Sequence, residues 1–307
     1  MMKLLRNLLA CPFCKGEFCL KNKKLICKKC GFKVKRNKYG YYEFIKKEKF
    51  KDFETTTEEY YSTQIKVGER QFHNYLKKLF LQRPFKRVLD VGCGAGVVIK
   101  ILIDEGYEAY GIDFPHLSKF WKEYSNPSSN FFCADARNLP FKDNIFDIVF
   151  SFGVIEHIGT TEGRVRLKEN YKEEREKFAE SLARITKQGG RIFISCPNKS
   201  FPIDVQHWPD EKAKIRKFIF EKTKLNFHKP WGKYHLLSYK EIKELFLYSG
   251  IVKKITPLPL YGFFSFTRFE KGFLKLFKKF AEFYIRKLPR ELWVSFLNPY
   301  ILVEMEK

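Results

Sequence analysis

The apolar positions of this chain change period along its length, and the changes mark out the elements. Val88–Leu89 and Val91 form a short, largely β-branched run, the pattern of a buried parallel strand. The glycine turn of VLDVGCGAG (88–96) follows, and then VVIKILIDEG predicts a helix ending at Gly106. YEAYGID predicts a second strand ending in Asp113, and NFFCADARNLPF (130–141) a third strand followed by Asp135. FDIVFSFGVIEHIG (146–159) gives a fourth strand, and LARITKQGGRIFISCPN a helix, a glycine turn and a fifth strand. The helix expected over 165–187 places Tyr171, Phe178, Leu182 and Ile185 on one side, suited to covering a sheet. LLSYKEIKELFLYSG predicts a later helix with Ser238 as N-cap and Gly250 as stop, and LNPYILVEMEK a final strand. Strands alternating with helices indicate an α/β, doubly wound fold with a mostly parallel sheet. Upstream, GFKVKRNKYGYYEFI alternates around a turn near Asn37–Gly40 and predicts a hairpin. Residues 49–64 are charged and lack apolar periodicity, which predicts a linker, and QFHNYLKKLF begins a helix leading into a main domain over 65–307.

Composition adds two constraints. No run of about 18 apolar residues occurs in the 307, so no membrane span is expected. LLAC (8–11) has the look of a lipoprotein cleavage site, but Arg6 and Asn7 interrupt the apolar run before it, and a cytoplasmic location is expected. Lys and Arg total 59 against 35 Asp and Glu, a net charge of +24 that suits nucleic acid or anionic lipid, although a Lys-rich proteome produces the same balance.

Half of the eight cysteines lie near the N-terminus, where Cys11, Cys14, Cys27 and Cys30 follow the spacing C-x2-C-x12-C-x2-C. Two thiolates from each of two tight turns make a closed tetrahedral zinc site; iron is the chemical competitor. Disulfides or a redox pair are disfavoured in a reducing compartment. So short a segment needs a metal to fold. The module, residues 1–48, resembles the zinc ribbons of the Trm112-like kind fused ahead of some methyltransferases. Cys19, Cys93, Cys133 and Cys196 are read as packed residues.

The glycine turn decides between cofactors. A dinucleotide fingerprint is G-x-G-x-x-G, but Gly92, Gly94 and Gly96 are spaced G-x-G-x-G. Asp90 stands two residues before the first of them, where its charge repels a pyrophosphate and attracts an ammonium or sulfonium. Asp113 is placed to hold ribose hydroxyls in either case. The five segments, in this order and spacing, closely resemble class I S-adenosylmethionine-dependent methyltransferases, most of all the branch with ubiquinone-type and other small-molecule enzymes. The resemblance covers about 85–198 and implies a Rossmann-like sheet of seven strands with one late antiparallel strand. It further implies that Asp90, Gly92, Gly94 and Gly96 surround the methionine moiety and Asp113 the ribose. Asp135 and Ala136 would flank the adenine, and Phe152 would line the donor pocket.

The acceptor is less legible. His157 follows strand four, suited either to a general base or to orienting a loop. SFGVIEH lacks the N/D-P-P-Y pattern of enzymes acting on exocyclic base amines, and SCPN reverses the Pro-Cys of cysteine-nucleophile enzymes. Residues 199–235 form an insertion, an acceptor lid holding His207, Trp208, His228, Trp231 and His235, read as packing rather than as a second metal site. Over 271–289 an amphipathic helix sets Phe273, Phe277, Phe280 and Tyr284 against Lys275, Lys278, Lys279, Glu282 and Arg286, fit for an anionic membrane surface or for packing on the domain. The expected function is O- or N-methylation of a small or lipid-linked molecule. RNA methylation using the basic ribbon is the alternative, a non-catalytic scaffold a third reading, and a nicotinamide dehydrogenase a remote one.

Overall fold

The structure is a computed structural model; it describes residues 6–21, 24–45, 58–81, 85–123, 130–161, 165–210, 212–264 and 274–307. The predicted strands form at the VLDV run as β5 (Arg87–Val91), then β6 (Glu108–Asp113), β7 (Phe131–Cys133), β8 (Phe146–Phe152) and β9 (Thr186–Pro197). With β12 (Lys254–Pro257) and β13 (Tyr300–Glu306) they make the expected seven strands, ordered β12-β13-β9-β8-β5-β6-β7. β5 to β9 pair in parallel, and β13 runs antiparallel to β9 and β12. The strand order reverses at β5, so the crevice beyond the carboxyl ends of β5 and β8 is where a doubly wound sheet binds its ligand.

The sheet does not stop at seven strands. The N-terminal module contributes a small hairpin, β1 (Phe18–Lys21) with β2 (Lys24–Cys27), and a second, β3 (Lys35–Arg36) with β4 (Tyr42–Glu43). β4 lies parallel to β7 with Tyr42 opposite Phe132, so the sheet continues to nine strands. Leu9 bridges to Phe141, and Asn37 donates to the Ser118 hydroxyl at 2.8 Å. Leu8, Leu9, Phe18, Tyr42 and Phe44 share one apolar core with Phe132 and Phe141. Sequence reading treated the module as a separate unit; its apolar residues are too few to close a core alone, and they complete one on the sheet edge instead.

The linker reading is corrected in part. Residues 58–64 belong to α1 (Glu58–Gln71), which runs through a π-helical turn, Phe72–Leu76, into α2 (Lys77–Leu81); 49–57 lie outside the described residues. Its contacts are local to one face, with Gly68 against Val97, so little periodicity shows in the sequence. The remaining helices are α3 (Val97–Asp104), α4 (Tyr171–Ile185), α5 (Lys214–Thr223), α6 (Tyr239–Phe246) and α7 (Leu274–Lys287). α6 starts at Ser238 with a reciprocal capping box to Glu241, as predicted, and Gly250 is left-handed at φ 77°.

The amphipathic helix is described from Leu274. It packs through Ala281, Ile285 and Leu288, with the Tyr284 hydroxyl donating to the Leu297 carbonyl. Phe280 and Phe283 point outward at 65% and 58% exposure. Of the expected apolar face, Tyr284 packs on the core of Phe263, Ile285 and Tyr300 and Phe280 points outward, while the side chains of Phe273 and Phe277 lie outside the described residues. The face that packs is set by the neighbours at Leu297 and the β13 end of the sheet, which a single-helix pattern does not contain. Among the described residues no helix is long and apolar enough to cross a membrane.

Candidate active site

The glycine turn is built as its spacing requires. Gly92, Gly94 and Gly96 have φ of 88°, 53° and 79°, a region closed to most side chains. Each also has a neighbour where a Cβ would sit. A Cβ on Gly92 would lie 2.2 Å from Val154, one on Gly94 2.8 Å from the Gln64 amide oxygen, and one on Gly96 2.7 Å from the Phe131 ring. Gly96 thus faces the core, where it lets α3 start close to the sheet. Gln64 was hidden in the supposed linker: α1 crosses over the turn, a contact no local pattern signals.

Two carboxylates frame the turn. Asp113 accepts from the Gly94 and Phe114 amides, both at 2.7 Å, which braces the turn against β6. Trp121 donates to the Gly94 carbonyl at 2.8 Å from the other side. Burial raises the Asp113 carboxyl to about 6. It raises Asp90, which also feels the Asp113 charge, well above the carboxylate range. One buried and one half-buried acid thus flank the turn.

Of the other expected donor-site residues, Phe152 lies at the end of β8, stacked on Phe150 at 5.2 Å and edge-on to Phe263 at 4.9 Å. Ala136 opens a short 3-10 turn after β7, capped by Asp135. The Asp135 carboxylate is already bonded to Arg137 through the backbone amide and the guanidinium, and Arg137 also pairs with Glu174. Its free lone pairs are correspondingly fewer than the sequence suggested. Cys93, Cys133 and Cys196 are buried, with thiols raised by burial, as packed residues should be.

Beside the turn lies a second group. Val154, against Gly92, leads into Glu156 and His157, and the insertion folds over them through β10 (Ile203–Asp204), α5 and β11 (Asn226–Phe227). His207 Nε2 stands 3.3 Å from His157 Nε2, and the His207 and His235 rings meet edge-on at 4.6 Å. Asp204 holds the His207 ring through Nδ1 at 3.0 Å and also accepts from its backbone amide, from that of Gln206 and from the Tyr234 hydroxyl. Those charges and bonds hold the Asp204 carboxyl far below the usual range despite its burial. His235 is driven down to about 2 by burial and by His207, so it is neutral. Glu156 is fully buried, both its oxygens lack a hydrogen-bond partner, and burial raises it to about 7.

The sequence separated these groups by some fifty residues. Of the three insertion histidines, two join His157, and His228 instead stacks on Tyr234 at 4.5 Å. Trp231 is 85% exposed, so the insertion's aromatics do not all pack within it. The Asp204–His207 spacing was the one local hint that was overlooked.

At the far edge of the sheet the four N-terminal sulfurs converge within 4.8 Å, with Cys11–Cys30 at 3.6 Å and Cys14–Cys27 at 3.4 Å. Tetrahedral ligands at a Zn–S bond of about 2.3 Å stand roughly 3.8 Å apart, so the donor set fits a thiophilic ion. The turns are closed by Lys15 N to Cys11 O and Gly31 N to Cys27 O. A Cβ on Gly16 would crowd two of the sulfurs, at 3.0 and 3.3 Å.

Comparison with known proteins agrees with this layout. Residues 89–194 match the family model described as "Methyltransferase domain". A probable tRNA methyltransferase 9B of Mus musculus is 32% identical over 114 residues, 37% of this chain and 22% of that protein. An uncharacterized protein of Methanocaldococcus jannaschii is 26% identical over 221 residues, 70% of this chain and 83% of the other. A ubiquinone biosynthesis O-methyltransferase of Coxiella burnetii is 23% identical over 165 residues, 51% and 64% of the two. The chain thus spans only about a fifth of the length of the mouse relative. Among solved structures, a complex of the Haloferax volcanii Trm112 methyltransferase activator with a putative methyltransferase aligns with TM-score 0.45 and 16% identity. It covers 80% of this chain and 93% of that one. The fold is Rossmann-like, with the strand order of a methyltransferase sheet, and residues 89–194 match a methyltransferase-domain model.

Proposed function

We propose that this chain is an S-adenosylmethionine-dependent methyltransferase acting on a small or lipid-linked acceptor at oxygen or nitrogen. The observation that carries the transferase reading is the pair of carboxylates, buried Asp90 and half-buried Asp113, around a left-handed glycine turn. Such a cradle favours a cationic donor and disfavours a diphosphate. Gly92 and Gly94 would let the amino-acid end of the donor approach the backbone, and Asp113 has lone pairs left for ribose hydroxyls. Ala136 would lie against the adenine and Phe152 near the methyl. Displacement at a sulfonium has a good leaving group, so holding the two reactants in line supplies much of the rate. His157, three residues after the Val154 that meets the turn, is the candidate base in this reading.

The four cysteines would hold a structural Zn2+. It would supply folding energy and no open position for substrate. The same reading places the chain in the cytoplasm, and the outward Phe280 and Phe283 of α7 support contact at an anionic membrane surface.

RNA is the second acceptor reading. It is favoured by the +24 charge and by the likeness to a probable tRNA methyltransferase. One experiment separates the readings: incubate the chain with methyl-labelled donor and divided RNA, lipid and metabolite pools. Label in the lipid or metabolite pool supports the first, and label in RNA replaces it with the second. Calorimetry showing no uptake of the donor would turn the chain into a scaffold, and uptake of a nicotinamide dinucleotide instead would sink the cradle argument.

A further inference from the structure

We propose that Glu156, His157 and His207 form a binding site for one divalent first-row transition-metal ion, distinct from the cysteine module and adjoining the glycine turn. One carboxylate oxygen and two imidazole nitrogens, one atom from each residue, lie within 4.8 Å of one another. Two nitrogens bound to one tetrahedral ion at about 2.05 Å stand roughly 3.3 Å apart. The Nε2 atoms of His157 and His207 are 3.3 Å apart. That spacing also suits a direct hydrogen bond, so two further observations carry the assignment.

The first is Glu156. Its side chain is fully buried and neither oxygen has a hydrogen-bond partner, a costly arrangement for a carboxyl group. The nearby guanidinium does not relieve it, since Arg175 is engaged with the carbonyls of Ile158 and His235. One oxygen would meet a Cβ on Gly153 at 3.7 Å, so the carboxyl sits against the end of β8, next to the turn. A bound cation supplies what the carboxylate lacks.

The second is Asp204. It takes His207 Nδ1 at 3.0 Å, which fixes that nitrogen as the donor and turns Nε2 toward His157 and Glu156. Carboxylate–histidine pairs of this kind orient metal ligands from behind. Asp204 is itself bonded to the Gln206 amide and the Tyr234 hydroxyl, so it serves as the orienting group and not as a ligand. Two imidazoles and one carboxylate suit Zn2+, Co2+, Mn2+ or Fe2+ better than Mg2+ or Ca2+. Three protein ligands leave positions for water or for an acceptor oxygen, whose proton the ion would acidify. As a metal site the cluster stands by itself; as part of methyl transfer it rests on the reading above.

The test uses the full chain with its cysteine module loaded with zinc, titrated with Co2+ and followed by absorption and calorimetry. The expected result is one Co2+ per chain with a nitrogen–oxygen ligand-field spectrum and no strong thiolate charge-transfer band. Glu156→Gln and His207→Gln should each weaken binding tenfold or more, and Asp204→Asn by ten- to a hundredfold. Trp231→Ala, an exposed position, should leave it unchanged. If His207→Gln does not fold by circular dichroism, the isosteric Glu156→Gln decides. No Co2+ beyond the ribbon ion, a thiolate-type spectrum, or binding untouched by Glu156→Gln would overturn the proposal. Donor binding, measured on the same preparations, keeps the two readings apart. A chain that binds donor without cobalt sinks only the metal site, and one that binds cobalt without donor sinks only the transferase reading.

Discussion

In the methyl-donor reading proposed above, Asp90 and Asp113 trade stability for a charge cradle. The Asp113 carboxyl ionises near 6 in the folded chain, above the ordinary value of 3.8, because it is buried. A raised acid favours the folded state only while it is protonated. Its contribution is complete below 3.8 and lost as the pH climbs through 6. In the donor-free chain the contribution of Asp113 should therefore fall by about a kcal/mol between pH 5 and pH 7. Asp90→Asn should raise the melting temperature of the donor-free protein at pH 7 by a few degrees and weaken donor binding at least tenfold, read by differential scanning fluorimetry and calorimetry. Affinity for a cationic donor should run the other way in the wild type, rising from pH 5 to 7 as the acids ionise. A flat profile would mean that neither carboxylate meets the positive charge. Asp113→Ala should cost about a kcal/mol or more of donor affinity, the worth of a hydrogen bond to a charged group. Gly92→Ala should remove donor binding altogether, since its Cβ would fall 2.2 Å from Val154. At this scale the sequence was readable wherever chemistry is local, as in VLDVGCGAG and the two CxxC pairs. Gln64 over Gly94, and His157 beside His207, are meetings of distant segments, and no spacing announces them.

Elements were legible in proportion to how much of their packing is their own. The capped α6 and the buried strands β5 and β8 emerged where their apolar periods and turn residues place them. α1 is a polar helix held by one seam and misled a reading by period, whereas α7 forms where its period places it and packs through Ala281, Tyr284 and Ile285. The ribbon hairpin was predicted, but not its partner, because the pairing of β4 with β7 depends on a strand ninety residues away. That pairing predicts a long-range effect of metal. β7 runs into Asp135 and Ala136, the residues expected at the adenine. With the zinc proposed for the cysteine module, removing that ion should therefore loosen the adenine end of the proposed donor site. Donor affinity should fall several-fold after chelation and return when zinc is restored; affinity unmoved by chelation would separate the ribbon from the site.

For the whole molecule, charge and shape act together. A net charge of +24 draws the chain to any polyanion, so simple retention on RNA or acidic vesicles says little by itself. The outward Phe280 and Phe283 provide a sharper test. Replacing both by Ser keeps every charge, so it should leave RNA binding intact and release the protein from acidic liposomes at physiological salt. Equal retention of the variant would assign the attraction to charge alone.

The nine-strand continuity also bears on how the chain can be cut. Beginning it at Glu58 would strip β4 from β7 and leave the backbone groups of Phe131–Cys133 and their apolar flank bare to solvent. An unprotected strand edge is an invitation to pair with another copy. The trimmed chain would then precipitate or self-associate instead of behaving as a smaller folded domain.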